Sequence, residues 1–316
     1  MSNRMPWFLY GAILSIASCA WAAQDQAPTP PLPSVAPLLW QNSMNVFRRF
    51  AADPKAMYEF YGQVLGLKQL QTFDVGGNTS VARFQAGASE LKLTGRTPRR
   101  EYHPGAVPEA TGVRLITLYF PDRQPLAERF RSHGLPVPEF QPMAGSLGSP
   151  ASPILACRGG KCSHALAKDP DGQWVELVIA PDAPAEVYQQ IEVGRAVSNL
   201  EASRKFYREF VGLEELPAVD DPIFHVKKYP FRHGSTTVNL RSFGQPLPAD
   251  TGSGGIQYVV SDAQAVEALA KARQVTVETP LSTLQSFSLK TIWLDDPDGI
   301  TNYFAETPVS ARQRAK

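Results

Sequence analysis

Five residues in the C-terminal half of the chain could do chemistry together. Glu192, Arg195, Asn239, Arg241 and Tyr303 fall in short stretches that otherwise read as β-strands. Buried charge is almost always paired. Such a set is therefore a satisfied Glu–Arg pair, a solvated edge, or the lining of a pocket for a small polar organic molecule. In the last reading an arginine takes a carboxylate and the tyrosine donates a hydrogen bond. Arg48, Lys92 and Glu176 make a weaker set of the same kind in the N-terminal half. Of the five histidines, His103 and His133 read as loop and helix-end residues, while His164 and His225 fall on strand-like segments that could face a cavity.

Two cysteines carry a different chemistry. Cys157 and Cys162 flank Arg158-Gly159-Gly160-Lys161, and Gly-Gly is hairpin-turn chemistry that brings flanking segments face to face. In an oxidising compartment this predicts a Cys157–Cys162 disulfide. The pair lacks the second pair of ligands that a zinc site needs.

The elements that must position these residues are duplicated. Phe60-Tyr61 followed by Gly66-Leu67 recurs as Phe206-Tyr207 followed by Gly212-Leu213, and Asp169-Pro170-Asp171-Gly172 recurs as Asp296-Pro297-Asp298-Gly299. A repeated unit fixes architecture before single residues are read. Four units follow one another, each a strand, a helix and further strands. The helices start at Asp53, Asp122, the Ser198-Asn199-Leu200-Glu201 capping box and Asp262. Met57, Phe60, Tyr61, Val64 and Leu65 form a helical apolar stripe that packs on a sheet. DPDG is a tight turn between strands, whose carboxylates are expected to be solvated. This predicts an α+β fold with domains at about 41–181 and 188–309.

Residues 1–22 read as a signal peptide. Arg4 precedes an apolar run from Trp7 to Ala20, too short for a comfortable bilayer span, with small residues around Ala22. Cys19 follows Ile16-Ala17-Ser18, similar to a bacterial lipobox, so a lipoprotein anchored through Cys19 is the alternative. Either way the protein is expected to be exported, periplasmic or secreted, with no membrane span in the mature chain. Residues 23–40, rich in proline, read as a tether. Over 316 residues, 31 basic side chains balance 30 acidic ones without a charge run. That argues against nucleic acid as a partner and leaves a small molecule.

The ordered pair of phrases, FY…GL then DPDG and a glutamate, twice over, resembles the vicinal oxygen chelate superfamily. This group includes glyoxalase I, bleomycin-resistance proteins and extradiol dioxygenases. The resemblance spans residues 44 to about 180 and 190 to about 307. It implies βαβββ modules, paired into curved eight-stranded sheets with a concave pocket.

The resemblance also implies a divalent metal held by the opening and closing strands of each module, typically by His or Gln, then Glu. Counting back seven positions from each helix cap gives Val46, Leu115, Glu192 and Gly255. The closing-strand positions fall near Lys92, at Glu176, near Asn239 and at Tyr303. A one-residue slip would bring Asn45, Gln257 or Asn302 into play. The usual ligand set is not present. Glu176, His164 and Glu192 are the candidates if a metal is the cofactor. The expected function is small-molecule binding without the usual tightly held metal. The alternatives are a lyase or dioxygenase with non-standard ligands, and a non-catalytic interaction module.

Overall fold

The computed structural model describes residues 33–75, 79–95, 100–143, 161–221 and 223–310. Module one comprises β1 (Asn45–Phe50), α1 (Pro54–Glu59), β2 (Lys68–Asp74), β3 (Ser80–Ala86) and β4 (Ser89–Gly95). Module two comprises β5 (Gly112–Phe120), α2 (Arg123–Ser132), β6 (Gln141–Pro142), β7 (Ser163–Lys168) and β8 (Trp174–Ile179). Module three has β9 (Ile191–Ala196), α3 (Leu200–Lys205), β10 (Glu214–Glu215), β11 (Val219–Asp221), β12 (Val226–His233) and β13 (Thr236–Arg241). Module four has β14 (Gly254–Val260), α4 (Ala263–Ala272), β15 (Val277–Leu284), β16 (Leu289–Asp295) and β17 (Thr301–Glu306).

The helix starts follow side-chain capping. Asp53, Asp122 and Asp262 each accept backbone N–H groups of the first turn. In module three the cap is Asn199 of the Ser198-Asn199-Leu200-Glu201 segment, which accepts from Ala202 N. The Ser198 hydroxyl is instead engaged by Asp298. Both FY phrases begin π-helical turns, Phe60–Val64 and Phe206–Val211, that extend α1 and α3. Gly66 and Gly212 adopt positive φ just beyond them.

Two antiparallel–parallel mixed sheets result. Sheet A runs β15-β16-β17-β14-β1-β4-β3-β2, and sheet B runs β10-β12-β13-β9-β5-β8-β7-β6, with β11 paired to β12. Each sheet therefore joins modules from different halves of the sequence, one with four and two with three. The seams are antiparallel, β1 on β14 and β5 on β9. The hydrophobic cores divide the other way. One contains the FY helix of module one, α2 and the strands of modules one and two, including Phe60, Leu91, Phe130 and Leu177. The other gathers Phe206, Phe231, Tyr258, Val266 and Phe304 from modules three and four. Each core is drawn mainly from one half of the sequence, with Ile191, Val193 and Ile300 of the second half joining the first core, while the sheets cross between halves. Val35 and Met44 pack into the second core, so the end of the segment read as a tether, from residue 33 on, is part of the fold. Among the described residues, no helix is long and apolar enough to cross a membrane.

Candidate functional site

Strand alternation decides which side chains can form a site. On β1, Val46 and Phe50 enter the first core, so Arg48 between them also points to the helix side. Arg48 Nη2 meets Asp169 Oδ2 at 3.2 Å, with both side chains fully buried. Tyr61 donates to the same oxygen at 2.8 Å. The other repeat reproduces this set: Arg195 pairs with Asp296, and Tyr207 donates to Asp296 Oδ2 at 3.0 Å. Arg48 and Arg195 are therefore held in structural triads on the helix side of the sheets, with Arg48 Nε and Nη1 and Arg195 Nε and Nη2 buried without a partner. The expectation that the DPDG carboxylates are solvated is overturned for the leading aspartates. Asp169 and Asp296 are buried, and Asp171 and Asp298 accept backbone N–H groups before α1 and α3.

The helix-free face of sheet A carries Asn45, Lys92, Gln257 and Tyr303 on β1, β4, β14 and β17. All four are buried. Asn45 lies opposite Gln257, and Gln257 opposite Tyr303. Asn45 Nδ2 donates to Gln257 Oε1 at 3.2 Å, and Lys92 Nζ donates to the same oxygen at 2.6 Å. The ammonium also lies 3.5 Å from Glu90 and over the Phe47 ring. Burial, aided by the charge of Arg83, holds Lys92 below its ordinary lysine value against the opposing pull of Glu90. Tyr303 accepts from Arg49 Nη2 at 2.8 Å and stacks edgewise against Trp293. Tyr303 thus sits in sheet A, away from the Glu192 group with which it was expected.

The helix-free face of sheet B brings the remaining candidates together. Thr117 on β5 lies opposite Glu176 on β8 and Glu192 on β9. Thr117 Oγ1 donates to Glu176 Oε2 at 2.8 Å, and His164 Nδ1 lies 3.1 Å from Glu176 Oε1. Tyr119 donates to Glu192 Oε1 at 2.6 Å, Asn239 Nδ2 donates to Glu192 Oε2 at 2.5 Å, and Lys228 Nζ lies 3.6 Å from that oxygen. Burial alone would raise the Glu192 carboxyl. The charge of Lys228, the Tyr119 and Asn239 hydrogen bonds and Arg241 outweigh it and hold the group below its ordinary value. Burial and the neighbouring Glu192 carboxylate hold the Tyr119 phenol well above its ordinary value. Arg241 makes a close ion pair with Asp221. Glu176, His164, Glu192, Arg241 and Lys228 line one cavity of about 20 Å³, with Met143 and Ile223 beside them. That is room for roughly one water or a small group.

Sequence reasoning missed Thr117, Tyr119, Asp221 and Lys228. Thr117 was within reach, because it lies two positions along the same strand face from Leu115. Asp221 and Lys228 arrive from β11 and β12, and no sequence pattern marks them. The opening-strand positions Val46 and Gly255 were misplaced. Val46 is a core residue, and Asn45 and Gln257 hold the side chains instead. His225 is exposed with φ of 54°, in the turn before β12 rather than on a strand. Cys157 lies outside the described residues, and Cys162 is buried.

These donors do not fit the metal that the resemblance implies. In sheet A a lysine ammonium is bonded to Gln257 where cation ligands would converge. In sheet B both oxygens of Glu192, and both of Glu176, already have protein partners. Among the described residues, no group of three or more His, Cys, Asp or Glu side chains is placed to hold a metal ion.

The fold with these strand-lined faces defines a class. The model of the Glyoxalase/Bleomycin resistance protein/Dioxygenase superfamily matches residues 43–177 and 189–304, and the chain belongs to that superfamily. Glyoxalase I from Zea mays aligns with a TM-score of 0.60 and 21% identity over 86% of this chain and 95% of that one. Its V278E mutant gives 0.63 and 21% over the same shares. A putative dioxygenase from Bacillus subtilis subsp. subtilis str. 168 aligns at 0.53 with 13% identity over 86% of each chain. At these identities the likeness shows the fold alone. No curated protein matches the chain.

Proposed function

We propose that this superfamily member is an exported protein that binds a small polar organic molecule on the helix-free face of sheet B, one group of it entering the cavity there, without a tightly held metal. The carrying observation is the convergence of Thr117, Glu176 and His164 from module two with Glu192, Asn239, Arg241 and Lys228 from module three. Polar groups so buried cost free energy unless partnered, and their partnerships here leave a polar cavity rather than a packed apolar layer. Export rests on the signal-peptide pattern of residues 1–22, with the lipobox-like Cys19 as the alternative route. The glyoxalase I and dioxygenase relatives share the fold; their reactions are not carried to this chain.

The test is native mass spectrometry of the purified mature protein, with metal analysis of the same sample. A small organic adduct, lost in Glu192→Ala without loss of fold, supports the reading. Stoichiometric tightly bound metal, lost in the same variant, sinks it in favour of a metalloenzyme with Glu176, His164 and Glu192 as ligands.

A further inference from the structure

Sheet A curls until its two edges touch. β2 and β15 end its strand order. Phe73 on β2 nevertheless packs edgewise on Phe287, just beyond β15, with ring centroids 5.2 Å apart. Phe73 pairs with Val81, and the Arg83 guanidinium lies 5.7 Å from the Phe73 ring centroid. Arg83 meets Glu90, and Glu90 meets Lys92, on the helix-free side. The aromatic contact therefore closes over that side, and the helix-free face of sheet A is the inside of a curl.

The inside stays open to solvent. β1 and β16 have a strand on either side. Their other faces are packed, with Val46 and Phe50 in the first core and Ile292 and Leu294 in the second. Alternation puts Phe47, Arg49 and Trp293 on the helix-free face, and all three are only partly buried. Water reaches side chains at such positions from that face. Tyr303 lies between the two exposed rings, 4.7 Å from Phe47 and 5.0 Å from Trp293 between centroids. The accessible floor is aromatic.

Charge says what the floor is missing. Arg49 Nη2 donates to the Tyr303 phenol at 2.8 Å, and Nη1 reaches only the Gly252 carbonyl, at 3.5 Å. No described carboxylate lies within 4.0 Å of this guanidinium. Arg83 and Lys92 share the single carboxylate of Glu90. The floor thus carries three cations against one anion. At the rim Arg100 is matched by Asp295 and Glu278, which leaves the whole face positive by one. A guanidinium with no acid partner presents a planar fork suited to a carboxylate, and exposed rings beside it suit another ring. We propose that the helix-free face of sheet A is a second ligand site, one that takes an aromatic carboxylate. The carboxylate meets Arg49, and the ring lies against Phe47 and Trp293. This site does not depend on the sheet B reading.

The test uses ligand-observed NMR on the full mature protein with four probes: benzoate, cyclohexanecarboxylate, benzamide and benzylammonium. Benzoate is expected to bind about tenfold more tightly than benzamide or benzylammonium, the scale of one charge-assisted contact. It should also bind more tightly than cyclohexanecarboxylate, which has the charge without the ring. Arg49→Gln should weaken benzoate about tenfold. The melting temperature should stay within a few degrees, because Arg49 leaves no buried counter-charge behind. Trp293→Leu should remove the preference for benzoate over cyclohexanecarboxylate. Benzoate binding that survives Arg49→Gln overturns the assignment. If that binding is lost in Glu192→Gln instead, the anion sits on sheet B; the sheet B reading then stands and this one falls. Benzamide binding as tightly as benzoate, or no binding by any probe, also overturns the sheet A site.

Discussion

Tyr61 and Asp169 are 108 residues apart and joined by a 2.8 Å hydrogen bond in which the phenol donates to the carboxylate. The same carboxylate takes the Arg48 guanidinium and, through Oδ1, the backbone N–H groups of Asp171 and Gln173. In the other repeat Asp296 does the same with Tyr207, Arg195, Asp298 and Ile300. The two repeated phrases of the sequence are thus partners in one device. The FY helix of one module is tied to the DPDG turn of the next, and a strand of one sheet to a turn of the other.

Breaking either triad should be costly. Asp169→Ala or Asp296→Ala leaves a buried guanidinium without its counter-charge, and loss of one partner of a buried pair costs about 3–5 kcal/mol. Tyr207→Phe removes one donor from a carboxylate with other partners, and should cost about 1 kcal/mol. Urea unfolding of the three variants measures both. A cost below about 1 kcal/mol for the aspartate variants would show that the triads do not hold the halves together.

Glu192 should impose a pH dependence. Its folded carboxyl titrates below its ordinary value of 4.5. A depressed carboxylate contributes stability that is fully present above the unfolded value and lost as pH falls through the folded one. Glu192→Gln should therefore cost most at neutral pH, and the difference from wild type should shrink on acidification below about pH 4.5. Thermal unfolding from pH 7 to pH 3 reads this directly. A difference that grows on acidification would reverse the sign of the argument.

Much of this fold was legible because its signals are local. Asp53, Asp122 and Asp262 announce helix starts through their own first turns, and the duplication gives the βαβββ order. The exchange of modules between sheets was not legible. Strand partners are chosen by which apolar faces meet after collapse, and β1 carries no mark that says β14 rather than β5. The site suffered from the two-residue period of strands. Counting from the helix cap placed Glu192, and counting from the DPDG glycine placed Glu176, on the correct face, but the cap count set Val46 where Asn45 stands. Arg48 and Arg195 looked like ligand groups because their partners lie in turns more than a hundred residues away.

Cys157 and Cys162 are expected to be disulfide-bonded in exported protein. Thiol labelling of the unreduced mature chain should find neither free. The closed loop is short, so reduction should cost less than about 3 kcal/mol. Two labelled thiols would remove this part of the case for an oxidising compartment.

Lys92 adds a second pH signature of the same sign as that of Glu192, but in the alkaline range and in the other sheet. Its folded ammonium titrates below the ordinary lysine value of 10.5, chiefly through burial. Between the lowered folded value and 10.5 the unfolded chain binds more protons, so stability rises with pH there. Lys92→Met keeps an unbranched side chain, one atom shorter, and removes the charge. It leaves few orphans: Gln257 Oε1 retains the Asn45 amide, and Glu90 retains both contacts with Arg83. Replacing a buried, paired charge by an apolar side chain is often neutral or stabilising. Lys92→Met should therefore change stability by less than about 1 kcal/mol at neutral pH, or raise it, and should lose the wild-type rise on the alkaline side. Because Lys92 lies in sheet A, ligand binding on sheet B should be unchanged. Unfolding curves from pH 7 to pH 10 for both proteins decide the point. If the variant is strongly destabilised and keeps the alkaline rise, Lys92 is not the titrating group and the ammonium holds that face together.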